Sequence, residues 1–398
     1  LINYTSGTTG FSKGVVLPYR ALWSNFDFLN GMMGKHIPRG SNCVCILPMA
    51  HMYGLMDDVL FQFCLGSHIF FLTRMPTPTL VAEALAEIRP RLICSVPLVV
   101  EKIVRKMVFP EFQTSMVRLL MNMPLLRDKV KERICERVRE VFGGNLYQVM
   151  VGGASLSREV EEFFVSIGFP ITVGYGTTET VTACCLTPPH MFKEGSIGVP
   201  FPDTYIKIVE PGTDQEVPYG TEGEILLAGP TVMKEYMKHP DETAQTLRRH
   251  ADGLTWVYTG DLGTMDSEGF VYFRGRAKRM IVSSGYNVYP GQIENILDAN
   301  EMVQMSCVIG IPDAYRMQKV KAFVKLAAGI PANDATRQAL MSYCSKHIAK
   351  YAMPCDIEFR DELPKTLVGK VAYRVLEEEE QAKHAAEAPA APAEEGKK

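Results

Sequence analysis

The chain has 398 residues, 46% of them hydrophobic and 22% charged, and its 42 Lys and Arg against 45 Asp and Glu leave a formal net charge of −3. That composition excludes collagen-like, coiled-coil and wholly disordered chains, and it gives no positive excess for binding nucleic acid through bulk charge. No apolar run is long enough for a membrane-spanning helix, and the length predicts two or three domains. The sequence begins at Leu1 rather than Met and runs straight into Ile2-Asn3-Tyr4-Thr5 with no visible leader.

From the start to about residue 195, apolar runs at 44–47, 69–72, 91–96, 146–151 and 171–175 predict strands. Helical patterns at 79–88, 98–107 and 157–167 separate several of them. Such alternation predicts an α/β fold with a largely parallel sheet covered by helices. The ten cysteines show neither Cys-x-x-Cys nor structural-zinc spacing, which predicts a reducing, cytoplasmic setting over a disulfide framework or metal and redox roles.

Residues 116–142 predict one long helix, with Val130, Ile134, Val138 and Val141 at helical spacing and Lys129, Lys131, Arg133, Arg137 and Arg139 interleaved. Such a face suits an anionic membrane surface or lipid, as peripheral contact with the inner membrane surface, and it equally suits a surface helix packed on the sheet. The packed helix is the favoured reading.

Beyond Gly195 short runs at 205–209, 223–227, 255–258 and 270–273 predict a small β-subdomain, and Asp266-Ser267-Glu268-Gly269 closes its last hairpin. After Arg276 the pattern becomes a compact α+β unit, with strands at 280–283, 304–309, 320–326 and 356–359 and helices near 292–299 and 335–349. The stretch 377–398 carries seven Glu against three Lys among Ala and Pro, and it predicts a disordered acidic tail.

Several segments carry chemistry. Tyr4-Thr5-Ser6-Gly7-Thr8-Thr9-Gly10-Phe11-Ser12-Lys13-Gly14 is not a Walker loop, because no Gly-Lys-Ser/Thr triplet follows the glycines. It nevertheless combines glycines for close backbone approach, hydroxyl donors and a lysine charge, which suits polyphosphate. The segment resembles the phosphate loop of the AMP-forming acyl-CoA synthetases, the adenylating family.

Further motifs follow in the family's order. Val151-Gly152-Gly153-Ala154-Ser155 resembles the adenine-side loop, and Tyr175-Gly176-Thr177-Thr178-Glu179 the aromatic-Gly-x-Thr-Glu motif. Tyr258-Thr259-Gly260-Asp261 is similar to the Thr-Gly-Asp motif, and Phe273-Arg274-Gly275-Arg276-Ala277-Lys278-Arg279 to the hinge. Pro364-Lys365-Thr366-Leu367-Val368-Gly369-Lys370 matches the C-terminal lysine motif. Ser12 and Ser155 replace prolines usual in the family, and Tyr373 precedes Arg374 where a basic residue is expected.

The resemblance implies ATP-dependent activation of a carboxylic acid to acyl-AMP, then transfer to a thiol. Coenzyme A is the expected acceptor, with a carrier-protein phosphopantetheine as the alternative, and a non-catalytic nucleotide- or fatty-acid-binding relative as the reading from another class. It assigns phosphate binding to Thr5, Ser6, Gly7, Thr8, Thr9, Gly10 and Lys13, and adenine-side contacts to Gly153, Ala154 and Tyr175. Thr178 contacts phosphate, Glu179 holds Mg²⁺, and Asp261 with Arg276 binds ribose. Lys370 bridges the substrate carboxylate and the phosphate. His51 edges the acyl pocket, Lys278 is the hinge, and the loop around Gly285 serves the CoA side. The implied domains are 1–276 for adenylation with a β-subdomain at about 195–275, a mobile α+β domain at 277–376 and the tail at 377–398. The segment 90–107 and the helical stretch leading to Phe142-Gly143-Gly144-Asn145 resemble bacterial long-chain fatty acyl-CoA ligases, so a medium- or long-chain fatty acid is expected over an aromatic acid. Because the family's phosphate loop lies well inside its large domain, the resemblance also implies an N-terminally truncated chain.

Overall fold

The computed structural model of the protein describes residues 1–6, 12–74, 76–112, 114–188, 191–313, 315–365 and 371–387. They divide into two compact units, Leu1–Arg274 and Gly275–Lys398.

In the first unit, Leu92–Ser95, Gln148–Gly152 and Ile171–Tyr175 run parallel, and Cys185–Leu186 and Val199–Pro200 extend the sheet antiparallel. Every residue of Gln148–Gly152 is buried, as expected of a strand covered on both faces. Helices Pro78–Ile88 and Pro97–Met107 both start on a proline, whose missing N–H leaves no bond unmade in a first turn. Leu85, Val104, Val138, Val149, Val151 and Phe164 share one core.

The single helix expected over 116–142 is two, Ser115–Met121 and Pro124–Val141. Pro124 has no N–H to donate one turn back, so the first helix stops before it. Ile134 and Val138 of the second are buried in the core, which withdraws the middle of the apolar stripe from any lipid surface. Of its basic residues, Arg137 pairs with Glu111 and Glu140 at 3.1 Å, and Arg139 donates to the Leu146 carbonyl at 2.9 Å. No helix among the described residues is long and apolar enough to cross a membrane.

A second, antiparallel sheet runs Tyr205–Val209, Gly223–Ala228, Thr255–Met265 and Leu247–Arg249, with Val271–Arg276 also paired to Thr255–Met265. At the Asp266 turn the carboxylate accepts from the N–H groups of Glu268 and Phe270 at 2.9 and 3.0 Å.

The second unit is a sheet of Tyr286–Val288, Ile281–Ser283, Met317–Leu326 and Val303–Asp313, with Asp356–Phe359 added parallel to Met317–Leu326. Its core joins Ile293, Leu297, Val308, Val324, Leu340, Cys344 and Ile357. Helix Tyr373–Glu387 overturns part of the disorder expected from residue 377. Composition missed it because its anchors are provided by other elements. Leu376 is fully buried with Cys307, Ile309, Phe323 and Leu363. Lys321 reaches Glu358 and Glu380, each at 2.8 Å, and Arg360 reaches Glu379 at 2.8 Å. The rest of the tail, 388–398, lies outside the described residues.

Burial alone would raise the Glu358 carboxyl, but Lys321, Arg360 and Lys383 outweigh it and hold the group at about 2, against an ordinary 4.5. Its folded value therefore lies below its unfolded one, and the stabilisation is complete above the unfolded value and lost as pH falls towards 2. Thermal melts from pH 7 to 3 should show the second unit losing about 1 kcal/mol through this group after solvent screening. Glu358→Gln should flatten that slope; an unchanged slope would remove Glu358 as its source.

Candidate active site

The carboxyl ends of parallel strands are where open α/β sheets present ligand-binding loops. Gly153 and Ala154 are exposed just beyond Gln148–Gly152, and Gly153 takes φ +81°, where a side chain would strain the turn. Tyr175 ends the neighbouring strand Ile171–Tyr175, and one 3-10 turn, Thr178–Thr180, carries Thr178 and Glu179 immediately after it. Thr177 and Thr180 cap each other across that turn. Gly176 cannot be replaced without moving the backbone, because a Cβ there would lie 1.7 Å from the Thr182 carbonyl oxygen.

Asp261 arrives from the second sheet. Its carboxylate is 1% exposed, and Oδ2 accepts a hydrogen bond from the Tyr175 hydroxyl at 2.9 Å. The bond joins two motifs 86 residues apart. The turn before Asp261 is held by Thr259, which donates to the Ile225 carbonyl at 2.6 Å, and by Glu224, which accepts from the Gly260 N–H at 2.9 Å.

On the other side, Ile2–Ser6 and Ser12–Val16 form a hairpin that pairs Thr5 with Lys13. Gly7, Thr8, Thr9 and Gly10 lie outside the described residues, as does the Ser6 side chain. Lys13 is nearly buried, 3.2 Å from Glu242, and its ammonium sits 4.9 Å from the centre of the Tyr236 ring. The Tyr236 hydroxyl in turn donates to Glu179 at 2.7 Å. Burial, and then the adjacent Glu179 carboxylate, push the Tyr236 phenol well up, so it remains the donor. Lys13, Tyr236 and Glu179 thus form one connected group. A single oriented carboxylate supplies the hard oxygen donor that Mg²⁺ takes alongside phosphate oxygens, so the donor set fits that ion.

His51 lies between strand Asn42–Cys45 and the π-helix Gly54–Leu60, and its Nδ1 accepts from the Tyr53 N–H at 3.2 Å. The Tyr53 hydroxyl donates to the Met150 carbonyl at 2.9 Å, tying this loop to the strand that leads to Gly153.

Within the second unit, Arg276 ends its strand and Lys278 occupies the 3-10 turn Ala277–Arg279. Ser284 and Gly285 join two short strands with φ +52° and +83°, the left-handed pair that suits a tight hairpin. Lys370 lies outside the described residues, although the flanking Lys365 and Val371 pair across it.

Sequence reasoning missed Tyr236, Glu242 and Glu224. Tyr236 and Glu242 stand in no recognised motif, and Glu224 reads as a strand position; only long-range pairing brings them to the site.

The AMP-binding enzyme model matches residues 1–237, and the AMP-binding enzyme C-terminal domain model matches 292–370. The chain belongs to the AMP-binding enzyme family.

Among relatives of this AMP-binding enzyme is a long-chain-fatty-acid–CoA ligase of Bacillus subtilis (strain 168), 33% identical over 390 residues, which cover 96% of this chain and 62% of that protein. One of the same name from Escherichia coli O6:H1 is 31% identical over 385 residues, again 96% and 62%. The chain therefore spans less than two thirds of the length of these curated relatives. The ATP-bound MatB structure from Rhodopseudomonas palustris aligns at a TM-score of 0.70 and 28% identity, over 95% of this chain and 67% of that one. O-succinylbenzoate coenzyme A synthetase (MenE) from Bacillus subtilis, in complex with ATP and magnesium ion, aligns at 0.71 and 25%, over 96% and 69%.

Proposed function

We propose that this AMP-binding enzyme activates a carboxylic acid, a medium- or long-chain fatty acid, with ATP to give acyl-AMP and pyrophosphate, and then forms the thioester with coenzyme A. The observation that carries the reading is the hydrogen bond between Tyr175 and the buried Asp261, which brings the aromatic-Gly-x-Thr-Glu and Thr-Gly-Asp segments together. The names of the relatives support a long-chain acid.

A carboxylate acylates poorly because its leaving group is poor. Its attack on the α-phosphate joins two anions, so the step needs positioning and positive charge more than a general base. Lys370 supplies that charge between them. Asp261 accepts the ribose hydroxyls, Arg276 is the second group assigned to the ribose, and the Tyr175 ring meets adenine next to Gly153 and Ala154. Thr178 and the loop from Thr5 to Lys13 hold the phosphates. Glu179 is the group that would hold Mg²⁺, which neutralises polyphosphate charge when bound. His51 borders the acyl group. Rotation about Lys278 then brings the Gly285 loop to the thioester step. The reaction belongs in the cytoplasm, a setting that suits ten free cysteines.

ATP–pyrophosphate exchange across acids of different chain length and type tests the reading. Exchange with medium- and long-chain acids is expected, and exchange with aromatic acids alone would reject the acid class. Thioester assays with coenzyme A and with carrier protein identify the acceptor. Asp261→Asn keeps the size but removes the charge, and it should weaken ATP binding about 10- to 100-fold in calorimetric titration. Unaltered affinity would withdraw Asp261 from the ribose.

A further inference from the structure

The π-helix Gly54–Leu60 carries two adjacent aspartates in an apolar setting, Asp57 at 1% exposure and Asp58 at 0%. Neither belongs to the motifs above. Buried carboxyls are expensive to keep unless they are hydrogen-bonded, so the partners of this pair define its role.

Asp58 turns towards the acyl side. Strand Asn42–Cys45 has ended by Ile46, and the next two N–H groups, of Ile46 and Leu47, both donate to Asp58 Oδ2, at 3.1 and 3.0 Å. One carboxylate oxygen thereby closes the loop that carries His51. The loop is tight: a Cβ on Gly54 would lie 2.4 Å from the Pro48 carbonyl oxygen, and Asn3 donates to the Ala50 carbonyl at 3.1 Å.

Asp57 turns towards the nucleotide side. Its Oδ1 lies 3.5 Å from the Thr182 hydroxyl, which also lies 3.2 Å from Asn25 Oδ1, while Asn25 Nδ2 donates to the Ala183 carbonyl at 3.0 Å. Thr182 is the residue whose carbonyl packs against Gly176, so this buried group backs the turn that presents Thr178 and Glu179.

We propose that Asp57 and Asp58 are positioning residues that set, from one turn of the π-helix, the nucleotide-side turn through Thr182 and the acyl-side loop through Ile46 and Leu47. The inference rests on the adenylating reading of the site and extends it to residues that touch neither substrate.

The test is a double dissociation in the full chain, using Asp57→Leu, Asp57→Asn, Asp58→Leu and Asp58→Asn. In pyrophosphate exchange, Asp58→Leu should raise KM for the acid about tenfold and leave KM for ATP within about twofold. Asp57→Leu should show the reverse. The asparagine variants retain an acceptor oxygen and should recover most of each loss. Equal shifts in both KM values, no shift, or asparagine no better than leucine would overturn the proposal.

Hydrogen exchange by mass spectrometry decides the same point without catalysis. Asp58→Leu should accelerate exchange in 46–53 and Asp57→Leu in 176–183, whereas uniform acceleration or none in either variant would overturn the positioning roles. If the unmodified chain exchanges no pyrophosphate with any acid, the adenylating reading fails, while the exchange data still decide whether the two carboxyls hold their separate loops.

Discussion

Replacing Lys370 with alanine is expected to slow acyl-adenylate formation by about 10²- to 10³-fold, the usual loss when one preorganised charge facing a transition state is removed. The step brings a carboxylate onto a phosphate, and the ammonium is the positive group assigned to both. The half-reaction from supplied acyl-adenylate to thioester should change less than about threefold, because the charge it needs there is no longer between two reacting anions. Pyrophosphate exchange measures the first step, and thioester formation from synthetic acyl-adenylate measures the second. Equal losses in both would refute the assignment. The neighbouring framework favours a clean result: Leu363 is buried with Leu376, and Ala372 donates to the Pro364 carbonyl at 2.8 Å, so both sides of the motif are anchored independently of the lysine.

Glu294→Ala should remove about 3 kcal/mol from the second unit, because it leaves a largely buried guanidinium without its partner. Arg279 and Glu294 meet as a two-point fork at 2.5 and 3.2 Å, with side chains only 23% and 17% exposed. Glu294 also accepts from the Val308 N–H at 2.8 Å, Arg279 donates to the Val308 carbonyl at 3.2 Å, and the Tyr373 ring lies 4.8 Å from the guanidinium. The fork therefore joins the turn after Arg276, helix Pro290–Asp298, strand Val303–Asp313 and helix Tyr373–Glu387. Calorimetry should register a fall of roughly 10 °C in the melting of this unit. The double substitution Arg279→Met with Glu294→Leu should recover part of the loss, since it leaves no orphaned charge. A single-variant loss below about 1 kcal/mol would mean that water screens the pair as it does on a surface.

Local chemistry alone made much of this protein legible. Ile171–Tyr175, Tyr205–Val209 and Asp356–Phe359 fall where the sequence predicts them, because short β-rich runs are bounded by strong turn residues. The order of the glycine-rich segments marked the family, since backbone approach to phosphate demands glycine at fixed offsets. Pro124, by contrast, was in plain view and should have divided the expected long helix, because a prolyl nitrogen has no hydrogen to bond.

Other features arise only when distant elements meet. Residues 377–387 are too acidic to order alone, and they are helical because Lys321 and Arg360 neutralise them and a core accepts Leu376. Tyr236 becomes part of the site through one hydroxyl directed at Glu179. Asp57 and Asp58 look like surface aspartates until burial and their partners Ile46, Leu47 and Thr182 give them direction. Composition offered no positive excess and no apolar run long enough for a membrane-spanning helix, and motif order pointed to the family. The net charge of −3 said nothing about where charges sit. Local periodicity and backbone chemistry are written within a few residues, whereas the pairing of a buried charge depends on what folding places beside it.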